Sequence, residues 1–179
     1  MTHYGMLINT RRCVGCFSCR VACQMSNSLP VNESFIRYES IERGVYPHVR
    51  AEEVPMQCQH CDDAPCVSVC PTGASYMNKD GVVLVNEERC IGCGYCAVAC
   101  PYQARIIHHA TGAAGKCRFC VFSDDGSVPS PSCVGTCITR ARIFGNLDDS
   151  ASEISKAIIE YNAKPIAGDL TKAKIFYVR

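Results

Sequence analysis

The stretch Cys90-Ile91-Gly92-Cys93-Gly94-Tyr95-Cys96-Ala97-Val98-Ala99-Cys100-Pro101 decides the fold. It reads C-x2-C-x2-C-x3-C-P, the spacing of bacterial [4Fe–4S] ligand runs. The first three thiolates sit on one tight loop and reach three corners of a cubane. The fourth, Cys100, lies too far around the turn to close the same core, and in two-cluster proteins it ligates a second cluster. The motif therefore implies a partner motif elsewhere in the chain. Gly92 and Gly94 suit a loop that wraps closely on an inorganic core, because glycine accepts backbone angles that other residues resist.

Three more quartets follow the same logic. Cys13, Cys16, Cys19 and Cys23 keep the spacing, with Gln24 in the proline position. Cys58, Cys61, Cys66 and Cys70 precede Pro71, with Asp62-Asp63-Ala64-Pro65 lengthening one loop. Cys117, Cys120, Cys133 and Cys137 carry twelve residues between the second and third members, and Ile138 in place of proline. That insertion, ending Ser127-Val-Pro-Ser-Pro-Ser132, reads as a surface or docking loop.

Composition narrows the chemistry. Sixteen of 179 residues are cysteine, a density that means a disulfide or metal scaffold. A secreted disulfide framework wants a signal peptide, and Met1–Thr10 has no basic region followed by an apolar one. Structural zinc prefers paired C-x2-4-C or Cys with His pairs, not triple C-x2-C-x2-C runs. Iron–sulfur chemistry is left. No run reaches the roughly twenty apolar residues of a membrane helix, so a soluble or peripheral chain is expected. The formal charge is +1. Four oxidised clusters at about −2 each, thiolates included, would bring it to about −7. Arg11, Arg12, Arg20, Arg89, Lys116 and Arg118, all near cysteines, are candidates to offset that charge.

The pattern between the quartets predicts short elements. Tyr4–Asn9, Phe35–Ile41, Arg105–His108, Arg142–Phe144 and Lys174–Arg179 read as strands, with Arg142–Phe144 a pairing partner for Leu7-Ile8. Ser75–Met77 and Val82–Val85 flank Asn78-Lys79-Asp80-Gly81, a strong hairpin signal. Thr111–Gly115 reads as a flexible joint. Ser152 is a candidate N-cap for a helix over Glu153–Tyr161, whose apolar face holds Ile154, Ala157, Ile158 and Tyr161. His60, between two cysteines, reads as a surface residue or one behind the ligands. His108 and His109 would point to opposite faces of a strand, against joint chelation.

The fold class expected is α+β: two ferredoxin-like 2[4Fe–4S] modules, one inserted in the other, loop-rich with short β-hairpins and a C-terminal helix–strand tail. Residues 1–50 and 112–149 form the outer module and 51–111 the inner one. Residues 150–179 are a tail for packing on the clusters or docking a subunit. The crossover rule predicts four ligand sets. Cluster 1 takes Cys13, Cys16, Cys19 and Cys137; cluster 2 takes Cys117, Cys120, Cys133 and Cys23. Cluster 3 takes Cys58, Cys61, Cys66 and Cys100; cluster 4 takes Cys90, Cys93, Cys96 and Cys70. Metal, rather than apolar burial, is expected to supply much of the folding free energy, so the iron-free chain should be largely unfolded.

With every cluster held by four thiolates, one to each iron, no iron is open to substrate and one-electron transfer is left. The chain has no G-x-G-x-x-G and no C-x-x-C-H haem site, so substrate chemistry belongs to another chain. The quartet order, with Cys58-Gln-His-Cys-Asp-Asp-Ala-Pro-Cys-Val-Ser-Val-Cys-Pro-Thr-Gly-Ala74, resembles the iron–sulfur (B) subunits of molybdopterin oxidoreductases. It is most similar to those of polysulfide and thiosulfate reductases; dimethyl sulfoxide, tetrathionate and respiratory arsenate reductases have similar subunits. The likeness covers about residues 4–149 and again Lys174–Val178.

The resemblance implies a non-catalytic subunit for anaerobic respiration. It would link a catalytic subunit holding a molybdenum or tungsten bis-pterin to an integral membrane subunit that exchanges electrons with quinone. The first/fourth-quartet module would face the catalytic chain. Cys93 stands where some relatives lose a ligand and hold three irons, so four are expected here. Cys137-Ile138 departs from the usual Cys-Pro. The resemblance also implies a peripheral location on the periplasmic side of the membrane, exported with a partner, since Arg11-Arg12 abuts Cys13 with no apolar stretch after it. The cytoplasm is the alternative. Other readings are a wire of a formate dehydrogenase or hydrogenase, a free polyferredoxin, and, remotely, a zinc-scaffold adaptor.

Overall fold

β1, Tyr4–Asn9, is the central strand of a three-stranded sheet, and its residues Gly5–Asn9 are all buried. A computed structural model describes residues 2–121 and 130–179, so most of the expected loop between Cys120 and Cys133 lies outside the described residues. One edge of β1 pairs antiparallel with β8, Arg142–Asn146, with Leu7 opposite Ile143 and Ile8 opposite Arg142. The other edge pairs parallel with β9, Ile175–Val178, at the chain's far end. Alternation divides the side chains of β1 between two environments. Met6 and Ile8 join the core that contains Cys19, Cys23, Cys58, Cys117 and Cys133. Leu7 faces the other way, onto Ile154 and Ala157 of α5, Glu153–Glu160. Ser152 caps that helix by accepting from Ser155 N at 3.3 Å. Tyr161, expected on its apolar face, is exposed.

Three two-stranded ribbons complete the β-structure. β2 and β3, Arg37–Arg43 and Arg50–Met56, pair antiparallel over seven residues each. β4 and β5, Ser75–Met77 and Val83–Val85, form the hairpin expected around Asp80-Gly81. β6 and β7, Ile106–Ile107 and Ala114–Gly115, form the fourth sheet. The segment expected to be a flexible joint therefore ends in a buried, paired strand.

Each quartet contributes a helix. α1, Ser18–Ser26, carries Cys19 and Cys23 on one face. The others are single turns: α2, Pro65–Ser68; α3, Tyr95–Val98; and α4, Ser132–Gly135. Each places its quartet's third cysteine, Cys66, Cys96 or Cys133, in a buried position. α1 packs on α4, and α2 on α3. The tail crosses between these pairs. Lys174 is buried, its Nζ donating to Asp62 Oδ1 at 2.6 Å and Gly81 O at 2.5 Å. The Tyr177 hydroxyl accepts from Gln59 Nε2 and donates to Pro55 O, both at 3.2 Å.

Candidate metal centre

The four C-x2-C turns repeat one backbone shape. Gly15, His60, Gly92 and Phe119, each just before the second cysteine, have φ of +63°, +45°, +68° and +54°. That left-handed conformation folds the loop so that successive thiols converge. A second repeat follows the last cysteine. Gly73, Gln103 and Arg140, three residues beyond Cys70, Cys100 and Cys137, have φ of +62°, +50° and +50°. Ser75 N donates to Cys70 Sγ at 3.3 Å and Ala141 N to Cys137 Sγ at 3.2 Å. Thr72 and Thr139 hydroxyls lie 3.7 Å from the same two sulfurs. Ile138 thus occupies the turn that Pro71 occupies, and the missing proline leaves the thiol's surroundings alike.

These turns bring the cysteines together in sets. Cys13, Cys16, Cys19 and Cys137 line one cavity. Cys70, Cys90, Cys93 and Cys96 line another. Cys117, Cys120 and Cys133 gather with Cys23, whose thiol burial pushes up to about 12, with Cys133 and Cys120 adding to the rise. Burial likewise pushes Cys61 up to about 11, and its thiol neighbours are Cys58, Cys66 and Cys100. In every set one cysteine comes from a different quartet than the other three.

The sets also follow one another. Cys19 lies within electrostatic reach of Cys23 and Cys133, Cys117 of Cys58, and Cys96 of Cys66. The order is therefore Cys13's set, Cys117's set, Cys58's set, Cys90's set. Cys16 and Cys93 are exposed, and they belong to the first and last sets; the other fourteen cysteines are buried or half-buried.

The donors fit an iron–sulfur core. Among the described residues no three His, Cys, Asp or Glu side chains close on a single metal ion. A lone zinc would draw its thiolates to within about 3.8 Å of one another. Four thiols drawn from two quartets and lining one cavity suit a polynuclear group instead. N–H groups already point at sulfur, as at Cys70, Cys137 and Cys90, the last from Ala114 N at 3.4 Å. Tyr38 OH lies 2.8 Å from Cys19 Sγ. Burial and mutual repulsion raise the Cys23, Cys61, Cys117 and Cys133 thiols, so bare thiolates are disfavoured there. A positive core removes that penalty.

Cations line the gaps. Arg142, 4 % exposed, lies between Cys133 and Cys19. Arg105, 8 % exposed, lies between Cys66 and Cys96. Lys116, also buried, neighbours Cys58 and Cys117; its Nζ donates to Val83 O and, at 2.6 Å, to Cys117 O. Lys116 is one of the expected charge-offsetting residues; Arg11, Arg12 and Arg89 are exposed at the surface. Sequence reasoning assigns Arg105 and Arg142 only to strands. The overlooked signal is their common place, five residues past the last cysteine of a quartet and directly after an alanine.

His60, expected at the surface or behind the ligands, is wholly buried. Its ring stacks on Phe119. Burial, then Lys116, Lys174 and Arg105, hold the imidazole neutral. His108 Nδ1 and His109 N both meet Glu33, at 2.5 and 2.9 Å, so this pair serves a loop contact.

Fold and thiol sets together define a class: an iron–sulfur electron-transfer protein of the two-cluster ferredoxin kind, twice over. Family comparison agrees. Residues 49–147 match one 4Fe–4S dicluster domain model and residues 12–74 another. The chain itself belongs to the 4Fe–4S dicluster family of reductase electron-transfer subunits and carries four [4Fe–4S] clusters. It is 39% identical to the B subunit of tetrathionate reductase from Salmonella typhimurium, over 98% of this chain and 72% of the relative. It is 44% identical to the thiosulfate reductase electron transfer subunit PhsB of Salmonella typhi, over 82% and 78% of the two chains. It is 38% identical to the B chain of polysulfide reductase from Wolinella succinogenes, over 98% and 93%.

Proposed function

We propose that this chain is the non-catalytic wire of a molybdenum or tungsten bis-pterin oxidoreductase. It relays single electrons between that catalytic subunit and an integral membrane subunit linked to quinone, on the periplasmic side. Bound clusters supply one-electron transfer at potentials set by their surroundings. Ligation follows the four sets: Cys13, Cys16, Cys19 with Cys137; Cys117, Cys120, Cys133 with Cys23; Cys58, Cys61, Cys66 with Cys100; and Cys90, Cys93, Cys96 with Cys70. Packing of α1 on α4 and of α2 on α3 supports an inner module, residues 51–111, inserted in an outer one, 1–50 and 112–149.

One observation carries the reading. The two exposed cysteines terminate the series, and the segments that carry each end's cysteines also carry exposed apolar side chains. Val14, Val21, Met25 and Ile138 lie on or next to the segments of the first end; Ile91, Tyr95 and Val98 lie on those of the last. Apolar groups of this kind mark surfaces that a partner covers. A free polyferredoxin has no need of two. Among the described residues no helix is long and apolar enough to cross a membrane. Relatives named for three different sulfur compounds match about equally well, in keeping with substrate choice on the catalytic chain.

The test is anaerobic purification of the complex from its source, with elemental analysis. About sixteen irons per chain with one molybdenum or tungsten supports the proposal. Nickel would place the chain in a hydrogenase, and iron alone would make it a free polyferredoxin. Val98→Asp should release the membrane subunit and keep the catalytic one, and Val14→Asp should do the reverse. Retention of both partners by both variants would remove these apolar groups from the argument.

A further inference from the structure

The arginines Arg105 and Arg142 are equivalent positions of the internal repeat. Each stands five residues beyond the last cysteine of its quartet, in Cys100-Pro-Tyr-Gln-Ala-Arg105 and Cys137-Ile-Thr-Arg-Ala-Arg142. Each guanidinium is buried. Arg142 Nη1 donates to Gln57 Oε1 at 2.7 Å and lies 3.9 Å from Cys133 Sγ. Arg105 Nη2 donates to Ser75 Oγ at 2.6 Å.

Neither has a carboxylate. Among the described residues, the ion pairs involve His3, Arg37, Arg43, His108, Lys172, Lys174 and Arg179, and not these two. Arg105 Nη1 and Arg142 Nη2 are buried with no hydrogen-bond partner among those residues. An arginine cannot shed its charge, and an uncompensated buried charge is strongly destabilising. The protein must therefore supply an anion at each place. The thiols that act most strongly on Arg142 are Cys133, whose Sγ is 3.9 Å away, and Cys19, which lines the same cavity as the arginine; they belong to consecutive sets. For Arg105 they are Cys66 and Cys96, again from consecutive sets.

We infer that Arg142 and Arg105 are the potential-setting residues of the wire, each shared by the two clusters of one pair: Arg142 by those of Cys13's and Cys117's sets, Arg105 by those of Cys58's and Cys90's sets. This rests on the proposed ligand sets. Reduction adds one electron, taken from the neighbouring redox centre, to a group that is already negative. A fixed positive charge alongside favours the reduced form and raises its potential. Because each arginine lies between two thiol sets, it raises both members of its pair together.

The experiment is an EPR-monitored redox titration of the complex purified anaerobically, using dithionite and ferricyanide as titrants. Arg105→Met should lower two of the four midpoint potentials and leave two unchanged. Arg142→Met should lower the other two. The two affected pairs should not overlap, so no prior assignment of signals is needed. Arg105→Lys and Arg142→Lys should restore potentials close to those of the unaltered chain. Shifts in all four clusters, in one cluster alone, in the same pair for both variants, or in none, would overturn the inference. If a Met variant loses iron, Gln at that position keeps a buried donor without the charge. Iron lost from the Gln variant but kept by the Lys variant supports the requirement for charge; iron lost from both shows that guanidinium packing, not charge, is what the site needs. A complex in which one pair shifts but iron per chain is about eight would instead refute the four-set assignment on which the inference rests.

Discussion

His60 and Phe119 lie face against face, ring centroids 3.7 Å apart and planes 23° from parallel. They are matched positions of the repeat, each just before the second cysteine of its quartet. The other two quartets place Gly15 and Gly92 there. The aromatic pair belongs to the two quartets whose thiols meet in the middle of the series, at Cys58 and Cys117. A side chain at positive φ is strained, and here the stack offsets that strain.

Removing the stack should loosen the middle of the molecule. Phe119 is fully buried and also meets Phe144 edge-on, with centroids 5.1 Å apart. Phe119→Ala is expected to cost about 3–5 kcal/mol. At roughly 2–4 °C per kcal/mol, the thermal midpoint of the anaerobic holoprotein should fall by about 10 °C. Phe119→Leu should lose less than half of that. Equal midpoints for all three chains would mean the stack contributes nothing.

Gly92 and Gly15 are matched in sequence and unequal in space. A Cβ on Gly92 would sit 2.5 Å from the Gly112 carbonyl oxygen, at φ +68°. On Gly15 it would meet Glu53 Cγ at 2.9 Å, a side-chain rather than a backbone atom, in a residue whose carboxylate accepts from Ser40 Oγ. Gly92→Ala should therefore lose one cluster, about four of sixteen irons. Gly15→Ala should keep all four clusters at a strain cost of about 1 kcal/mol. Iron analysis of the two purified variants separates these outcomes; equal iron contents would contradict the carbonyl clash.

Cys100 belongs to the third quartet and neighbours Cys61 of the second. Cys100→Ser should change the EPR signal and potential of the cluster held by Cys58, Cys61 and Cys66. A change confined to the cluster held by Cys90, Cys93 and Cys96 would refute the crossover.

Glu33 gives a pH dependence with a definite sign. Its carboxylate accepts from His109 N at 2.9 Å and meets His108 Nδ1 at 2.5 Å, which hold its pKa below the ordinary carboxylate value. A depressed folded pKa contributes stability that is present above the unfolded value, near 4.3, and is lost as pH falls through the folded value. Glu33→Gln should lower the thermal midpoint at pH 7, and its gap from the unaltered chain should close as pH falls below about 4. Acid damage to the clusters acts on both chains alike. A gap that stays constant with pH would show that the carboxylate's charge is not its source.

Much of this molecule was written locally. The quartet spacings specify three-thiol loops because ligand count and loop length are near-neighbour properties. The same holds for the Asp80-Gly81 hairpin and the Ser152 cap, where turn and capping chemistry act over a few residues. β1 and its pairing with β8 were legible because alternating apolar residues need a buried partner. The tertiary structure alone decided the rest. It set β9 parallel to β1 and buried His60 against Phe119, whereas the company of Cys137 with Cys13 and of Cys23 with Cys117 was already expected from the crossover rule. It placed Arg105 and Arg142 between thiol sets and left Cys16 and Cys93 at the surface. Those outcomes depend on contacts between segments far apart in the chain, where spacing carries no information. Burial is a property of the whole assembly, so an arginine read as a strand residue becomes a charge among thiols only once the distant turns close around it.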